Sequence, residues 1–571
     1  MRQCPRHTDG ITPSQRPSQR WRWSRWRYGA ISLATAGLCL LAAPSRAAER
    51  LIISYGALER TVSMADIEAF AATGQLTPQL QAYNRYLQLT PAQLKQAQQA
   101  LTAPAQDLRL VGIAQFLYTP QGERLLRELT RVVRTPARVG DFSALRAAII
   151  LGATNAENGI TLLDVLRAYP LEAIRIDLLE GFVVAEEVNR AIVQSTQAVN
   201  LVQDLSRQEA EALPLTEAEF SALMGRLQAS RAYGVQRRNQ RIEGLEKPAN
   251  LYLPQLREGQ AAPPDGFPLV VISHGLGSNR HSYDYLANDL ASGGFMVVAI
   301  DHAGSNDEQL AALLEGRTDN VVPDEEFLRR PQDVTLTLNA LQQLQNSGSL
   351  PVRFDGNRIG VIGQSFGGYT ALALAGATVD RTALTTACPP AVLTFNPSLL
   401  LQCQATSLAP PQPPLQDARV KSIFIMNPVG SVLFGPTGYQ RIAVPVMVVG
   451  SAADTVAPAF PEQIQPFTWL ATPERYLALI GFGTHFSVIG DVAAADQPIA
   501  IPPDIVGPRP DLAQYYMRTL ALAYFHLTLN QDERFRPMVQ AAFLQALSDG
   551  PYPLSLSTTL SQEGLEAVLQ P

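Results

Sequence analysis

Arg358–Ala373 reads RIGVIGQSFGGYTALA. Apolar, β-favouring residues run up to Gly363, a serine stands inside Gly363-Gln364-Ser365-Phe366-Gly367, and a helix-like run follows. A sharp strand-to-helix turn crowds the neighbouring backbone, which is why glycine is needed two residues before and two after the serine. Such a turn pushes the hydroxyl out at the top of a sheet. The N-terminus of the following helix favours negative charge developing there. The alternative is a serine that merely occupies a Gly-rich turn, because the motif is short. The two readings part on whether a base, an orienting acid and oxyanion donors occur at suitable places in the chain.

A serine attacks only when a base takes its proton. After residue 47 the chain has His274, His281, His302, His485 and His526. His485 lies in Gly481-Phe482-Gly483-Thr484-His485, a loop following a strand-like run, and its glycines let the loop bend toward the serine. His526 sits in a helical pattern, where packing or capping is its expected role. His302 follows a strand end and is expected to line the pocket. The acid that orients the imidazole is expected at Asp454, in GSAADTVAP after the apolar run Val444–Gly450. Ser365, Asp454 and His485 then fall in the Ser–Asp–His order of α/β-hydrolases. The oxyanion donors are expected to be the backbone N–H of Phe366, directly after the serine, and that of Leu276 in the loop Ser273-His274-Gly275-Leu276-Gly277. His274 is expected to brace that loop, and the Phe366 ring to wall the acyl pocket.

Outward from this region, probable strands are Arg238–Leu245, Leu251–Leu253, Pro268–Ser273, Phe295–Asp301, Arg358–Gly363, Val420–Met426, Val444–Gly450 and Arg475–Ile480. The middle ones are short, continuous apolar runs, as in strands covered on both faces. Helical segments such as Tyr283–Ser292, Pro331–Gln345 and Phe366–Ala375 separate them. This alternation predicts an α/β-hydrolase fold: a mostly parallel twisted sheet with helices on both faces, over residues 231–571. Residues 376–418 are Pro-rich and break the rhythm, as an inserted cap would. Residues 48–230 predict a helical accessory domain, with helix starts at Ser63, Thr90-Pro91, Thr119-Pro120 and Asp141 and a short strand-like LIISYG near its beginning.

Residues 1–47 have the layout of a secretory signal. Arginines interleaved with tryptophans precede the apolar Gly29–Ala43, and Ser45-Arg46-Ala47 predicts cleavage near Ala47. The expected location is periplasmic or extracellular, with no spanning segment later in the chain. This leader holds eight of the 45 basic and one of the 51 acidic residues, leaving 37 against 50 and a formal charge of −13. That balance argues against nucleic acid or an anionic membrane as the main partner. With the leader removed, Cys388 and Cys403 are the remaining cysteines, and an exported pair predicts one disulfide. Two cysteines with no histidine nearby make no metal site.

The segment Ser273–His302, SHGLGSNRHSYDYLANDLASGGFMVVAIDH, resembles the corresponding part of platelet-activating-factor acetylhydrolases. Their Ser-His-Gly-Leu-Gly loop, the Arg and Tyr after it and the Asp-Leu-Ala-Ser helix end are all present. Their nucleophile motif is similar to Gly363–Gly368, with His where this chain has Gln364. The resemblance spans roughly residues 235–530. It implies Ser365 as nucleophile and Leu276 and Phe366 as oxyanion donors. In that family the acid follows the strand after the nucleophile helix, where IFIMNPVG offers Asn427. Asp454, one strand later, resembles the arrangement in dienelactone-hydrolase-like and polyester-hydrolase-like enzymes. The first part, with LIISYGALERTVS, resembles the domain of unknown function preceding exported cyanobacterial α/β-hydrolases.

The expectation is an exported serine hydrolase cleaving carboxylic esters, carboxylesterase- or lipase-like, with phospholipid acyl esters in range. It would need no organic cofactor and no metal. A peptidase or thioesterase would use the same residues, and a binding protein on a hydrolase scaffold would use none of them.

Overall fold

The computed structural model describes residues 48–56, 58–104, 110–154, 159–389, 396–409, 413–490 and 503–570. The expected leader, its expected cleavage near Ala47 and parts of the expected cap lie outside them.

The large sheet has nine strands: β5 (Gly234–Gln240), β6 (Ala249–Gln255), β7 (Phe267–Ser273), β8 (Met296–Ile300), β9 (Phe354–Gln364), β10 (Val420–Met426), β11 (Val446–Ser451), β12 (Arg475–Ile480) and β13 (Leu554–Ser557). Their order is β13-β12-β11-β10-β9-β7-β8-β6-β5. From β8 through β12 the pairings are parallel, while β5, β6 and β13 join antiparallel at the two edges. This is the α/β-hydrolase arrangement expected from the sequence.

Both faces of the sheet are covered because its central strands are mostly continuous apolar runs. In β7, Leu269 and Val271 enter one core while Val270 and Ile272 enter the other. The period of two along a strand turns a continuous apolar run into two packing surfaces. The helices Glu326–Asn346 and Phe366–Leu374 pack into the first core. Asp284–Ser292 and Pro510–Thr528 pack into the second.

The first edge strand is Gly234–Gln240 rather than Arg238–Leu245. Val235 and alternating polar residues suit an edge ribbon, and the chain turns away after Gln240. The short β13 has no counterpart among the expected strands.

The N-terminal part is built mainly of helices. It also carries a four-stranded sheet, ordered β2-β1-β4-β3, from β1 (Arg50–Tyr55), β2 (Leu58–Ser63), β3 (Val133–Arg134) and β4 (Ala173–Asp177). Only β1 is foreshadowed in the sequence, because β3 has two residues and β2 is largely polar. The helix starts follow their chemistry. Ser63, Thr90 and Thr119 accept hydrogen bonds from the N–H groups of Asp66, Gln93 and Gly122. Asp141 accepts from Ala144 N–H.

The 35-residue helix Leu178–Ala212 links the two parts. Near its start Phe182 and Val183 are exposed, while Ala198 and Val202 are sealed in the sheet's core. Further along, Ser206 and Glu209 accept from Leu556 N–H and from Ser557 Oγ and Thr559 Oγ1, completing the β13 edge. Cys388 and Cys403 are joined by a disulfide inside the insertion between β9 and β10.

Candidate active site

Ser365 sits at the junction of β9 and the helix Phe366–Leu374 with φ 54° and ψ −117°, a strained conformation for a residue with a side chain. Its N–H donates to Met426 O, fixing the turn to the neighbouring strand. The glycines around it are sterically required. A Cβ at Gly363 would lie 2.0 Å from Gly367 O, and one at Gly367 would lie 2.0 Å from Ser273 O. Those contacts bring the end of β7 against the elbow and place the loop Ser273–Gly277 beside the serine. A Cβ at Gly275 would be 3.3 Å from Ser365 Cβ.

Asp454 and His485 follow successive strands, β11 and β12. Asp454 Oδ2 lies 2.6 Å from His485 Nδ1, and both side chains are buried. The other carboxylate oxygen accepts from Val456 and Ala457 N–H at 2.8 and 2.7 Å, which holds the acid in one orientation. With Nδ1–H given to Asp454, the imidazole presents an acceptor at Nε2.

The partner of that Nε2 is the Gln364 amide, at 3.2 Å. The same amide nitrogen lies 3.3 Å from His485 O, an atom that only accepts, so the nitrogen of the amide faces the histidine. Asn427 Nδ2 donates to His485 O from the other side, at 3.3 Å. Asn427 therefore holds the backbone of the histidine loop, while Asp454 holds the ring. Among the described residues the Ser365 hydroxyl makes no hydrogen bond to His485.

Leu276 lies in the loop after β7, and Phe366 is the first residue of the elbow helix. Neither N–H has a hydrogen-bond acceptor among the described residues. The Phe366 ring does not wall a pocket. It is fully buried, 5.1 Å from the Phe327 ring and 5.3 Å from the Tyr369 ring, because the elbow helix lies flat on the first core.

His302 also departs from expectation. It is fully buried, with Ser273 Oγ 2.9 Å from Nε2 and Asp333 Oδ2 2.9 Å from Nδ1. Burial pushes its basicity well down, so this is a neutral imidazole. His274 braces the loop Ser273–Gly277: Nδ1 meets Gly275 O at 2.7 Å and Nε2 accepts from His302 N–H at 3.0 Å. His526 packs on the Phe535 ring at 4.3 Å, and burial lowers its pKa to about 4.

Gln364 and Asn427 act on His485 through polar amides whose direction the sequence does not encode. The one available signal was their position, immediately before the serine and at the end of β10. Among the described residues there is no cluster of His, Cys, Asp and Glu that could hold a metal ion.

A mainly parallel nine-stranded sheet with a strained serine elbow on a central strand defines an α/β-hydrolase fold. Residues 47–177 match the family described as alpha/beta hydrolase of unknown function (DUF1400), and residues 230–332 match platelet-activating factor acetylhydrolase, isoform II. The chain thus resembles platelet-activating factor acetylhydrolases. It is similar to the enzyme of that name from Canis lupus familiaris, 32% identical over 157 residues, covering 22% of this chain and 34% of that protein. The Bos taurus enzyme of that name is 25% identical over 138 residues, covering 19% and 31%. The chain spans about a third of the length of these curated relatives. The matched family segment ends at residue 332, before Ser365.

Proposed function

We propose that this chain is an exported serine hydrolase that cleaves carboxylic esters, with lipid acyl esters as its natural substrate class. The observation that carries the reading is the 2.6 Å contact of Asp454 with His485 at the end of the sheet that bears the strained Ser365 elbow. The layout of the leader supports export.

His485 takes the Ser365 proton as the hydroxyl attacks the ester carbonyl. For this the Gln364 amide yields its place at Nε2. Asp454 keeps the imidazole in the accepting tautomer and stabilises its charged form. The Leu276 and Phe366 N–H groups receive the oxyanion, His485 returns the proton to the departing alcohol, and an acyl-enzyme remains. Water, deprotonated by the same histidine, releases the acid. The chemistry of these residues calls for no cofactor. The names of the relatives make the acetyl ester of platelet-activating factor the lipid to assay first.

Hydrolysis of p-nitrophenyl acetate and butyrate tests the reading. Ser365→Ala should lower the rate by roughly 10⁴-fold or more, and a fluorophosphonate should label wild type but not the variant. Equal rates from the two proteins would overturn the assignment.

A further inference from the structure

Arg330 is among the largest fully buried side chains of the described residues, in the second turn of the helix Glu326–Asn346. A buried guanidinium is retained only where its donors are satisfied and its charge is balanced. Its Nη2 donates to His274 O and lies 3.3 Å from Ser273 Oγ. Nη1 donates to Ser305 Oγ at 2.7 Å, and Nε donates to Thr370 Oγ1 at 3.1 Å. Glu326, which accepts from Ser305 Oγ at 2.5 Å, favours its charge, and the Asp333 carboxyl, which faces His302, lies nearby.

One of these bonds leads to the free Leu276 N–H beside Ser365. Fixing His274 O fixes the peptide joining His274 to Gly275. The next peptide is held by His274 Nδ1, which donates to Gly275 O, and its opposite end is the Leu276 N–H. A planar peptide whose carbonyl is tethered has its N–H aimed the other way. Thr370 Oγ1, which accepts from Arg330, donates to Phe366 O at 3.1 Å, and so holds the peptide that ends in the Gly367 N–H; the Phe366 N–H lies on the preceding peptide, whose Ser365 O accepts from Tyr369 and Val429 N–H. The guanidinium also lies 4.6 Å from the centre of the Phe366 ring.

The helix carrying Arg330 is itself tied to the elbow helix. Pro331 has no N–H to offer Phe327 O, four residues back, and Tyr369 OH donates to that carbonyl instead at 2.5 Å.

We propose that Arg330 is a positioning residue of the oxyanion site, a buried guanidinium that orients the Leu276 N–H. The proposal rests on the ester-hydrolase reading of Ser365. Arg330 touches no substrate; it acts through His274.

The experiment compares wild type with Arg330→Lys, which keeps the charge and loses the fork, and with Thr370→Val, which removes the acceptor of Nε at nearly constant volume and leaves the bond to His274. Two readouts are taken: kcat and KM on p-nitrophenyl butyrate, and hydrogen exchange of the backbone amides of residues 274–278. In Arg330→Lys, kcat should fall roughly 10²-fold, the loss typical of a misaligned oxyanion donor. KM should stay within about threefold, and exchange at 274–278 should rise while that of β9 stays as in wild type. Thr370→Val should keep exchange at 274–278 as in wild type and kcat within about threefold. Added guanidinium should restore part of the activity of Arg330→Ala.

Wild-type kcat in Arg330→Lys together with wild-type exchange at 274–278 would overturn the proposal. So would exchange rising equally across the whole sheet, which is loss of fold rather than of orientation. If wild type neither hydrolyses esters nor takes up a fluorophosphonate, the ester-hydrolase reading fails. The exchange at 274–278 then still decides whether Arg330 orients the loop.

Discussion

Asp454 and Asn427 follow neighbouring parallel strands at the same end of the sheet, yet only Asp454 reaches the imidazole of His485. In the resembled family the acid stands at the Asn427 place. Asp454→Asn should therefore cost roughly 10⁴-fold in kcat, because an amide no longer holds the accepting tautomer. Asn427→Ala should cost far less, since it loosens a backbone carbonyl and leaves the ring contact. Steady-state kinetics of both on p-nitrophenyl butyrate check this, and equal losses would move the acid's role to Asn427's strand. The pairing of Asp454 with His485 is legible in the sequence because both lie in short loops after strong apolar strands. The roles of Gln364 and Arg330 are not legible. An amide and a guanidinium read as surface residues until neighbouring elements bury them, and nothing local says which carbonyl they will meet.

Elements are legible where one surface dictates the pattern. β10 and β12 coincide with the expected Val420–Met426 and Arg475–Ile480, since each ends in an apolar run, Ile423–Met426 and Tyr476–Ile480, that is buried throughout. β13 is missed because four residues, LSLS, carry little signal without the strand they pair with. The insertion between β9 and β10 is anchored by a side chain far away in sequence. Glu462 is fully buried and accepts from Gly430 and Ser431 N–H, Ser431 Oγ, Gln402 Nε2 and Asn396 Nδ2. Gln402 in turn accepts from Val432 and Leu433 N–H, capping the start of the helix Ser431–Tyr439. One carboxylate thus gathers the insertion, the loop after β10 and the turn of helix after Asp454. Glu462→Gln puts an NH₂ where an acceptor stood, facing donors. It should lower unfolding free energy by about 1–3 kcal/mol, read by urea denaturation at constant m-value.

At the scale of the whole molecule, buried titratable groups pull the pH dependence of stability in opposite directions. His526 has its pKa lowered from 6.5 to about 4 by burial against Phe295 and Phe535. Between about pH 4 and 6.5 the unfolded chain holds a proton there that the folded chain lacks. Stability from this group is complete above the unfolded pKa and is lost as pH falls through the folded one. Asp333 does the reverse. Burial, partly offset by Arg330 and Arg329, pushes its carboxyl up from 3.8 to about 7. Its contribution is complete below the unfolded value and is lost as pH rises through about 7. Each group changes the slope of unfolding free energy by at most about 1.4 kcal/mol per pH unit within its window. His526→Phe, which keeps a ring in the stack, should therefore flatten the rise in stability between pH 4 and 6.5. Asp333→Asn, which still accepts from His302, should steepen it between pH 4 and 7. The two sites share no hydrogen-bond partner, so the double variant should show the sum of the two changes. Urea denaturation in half-unit pH steps measures all four slopes. If both single variants change the slope in the same direction, one of these two groups is not held in the protonation state that its burial dictates.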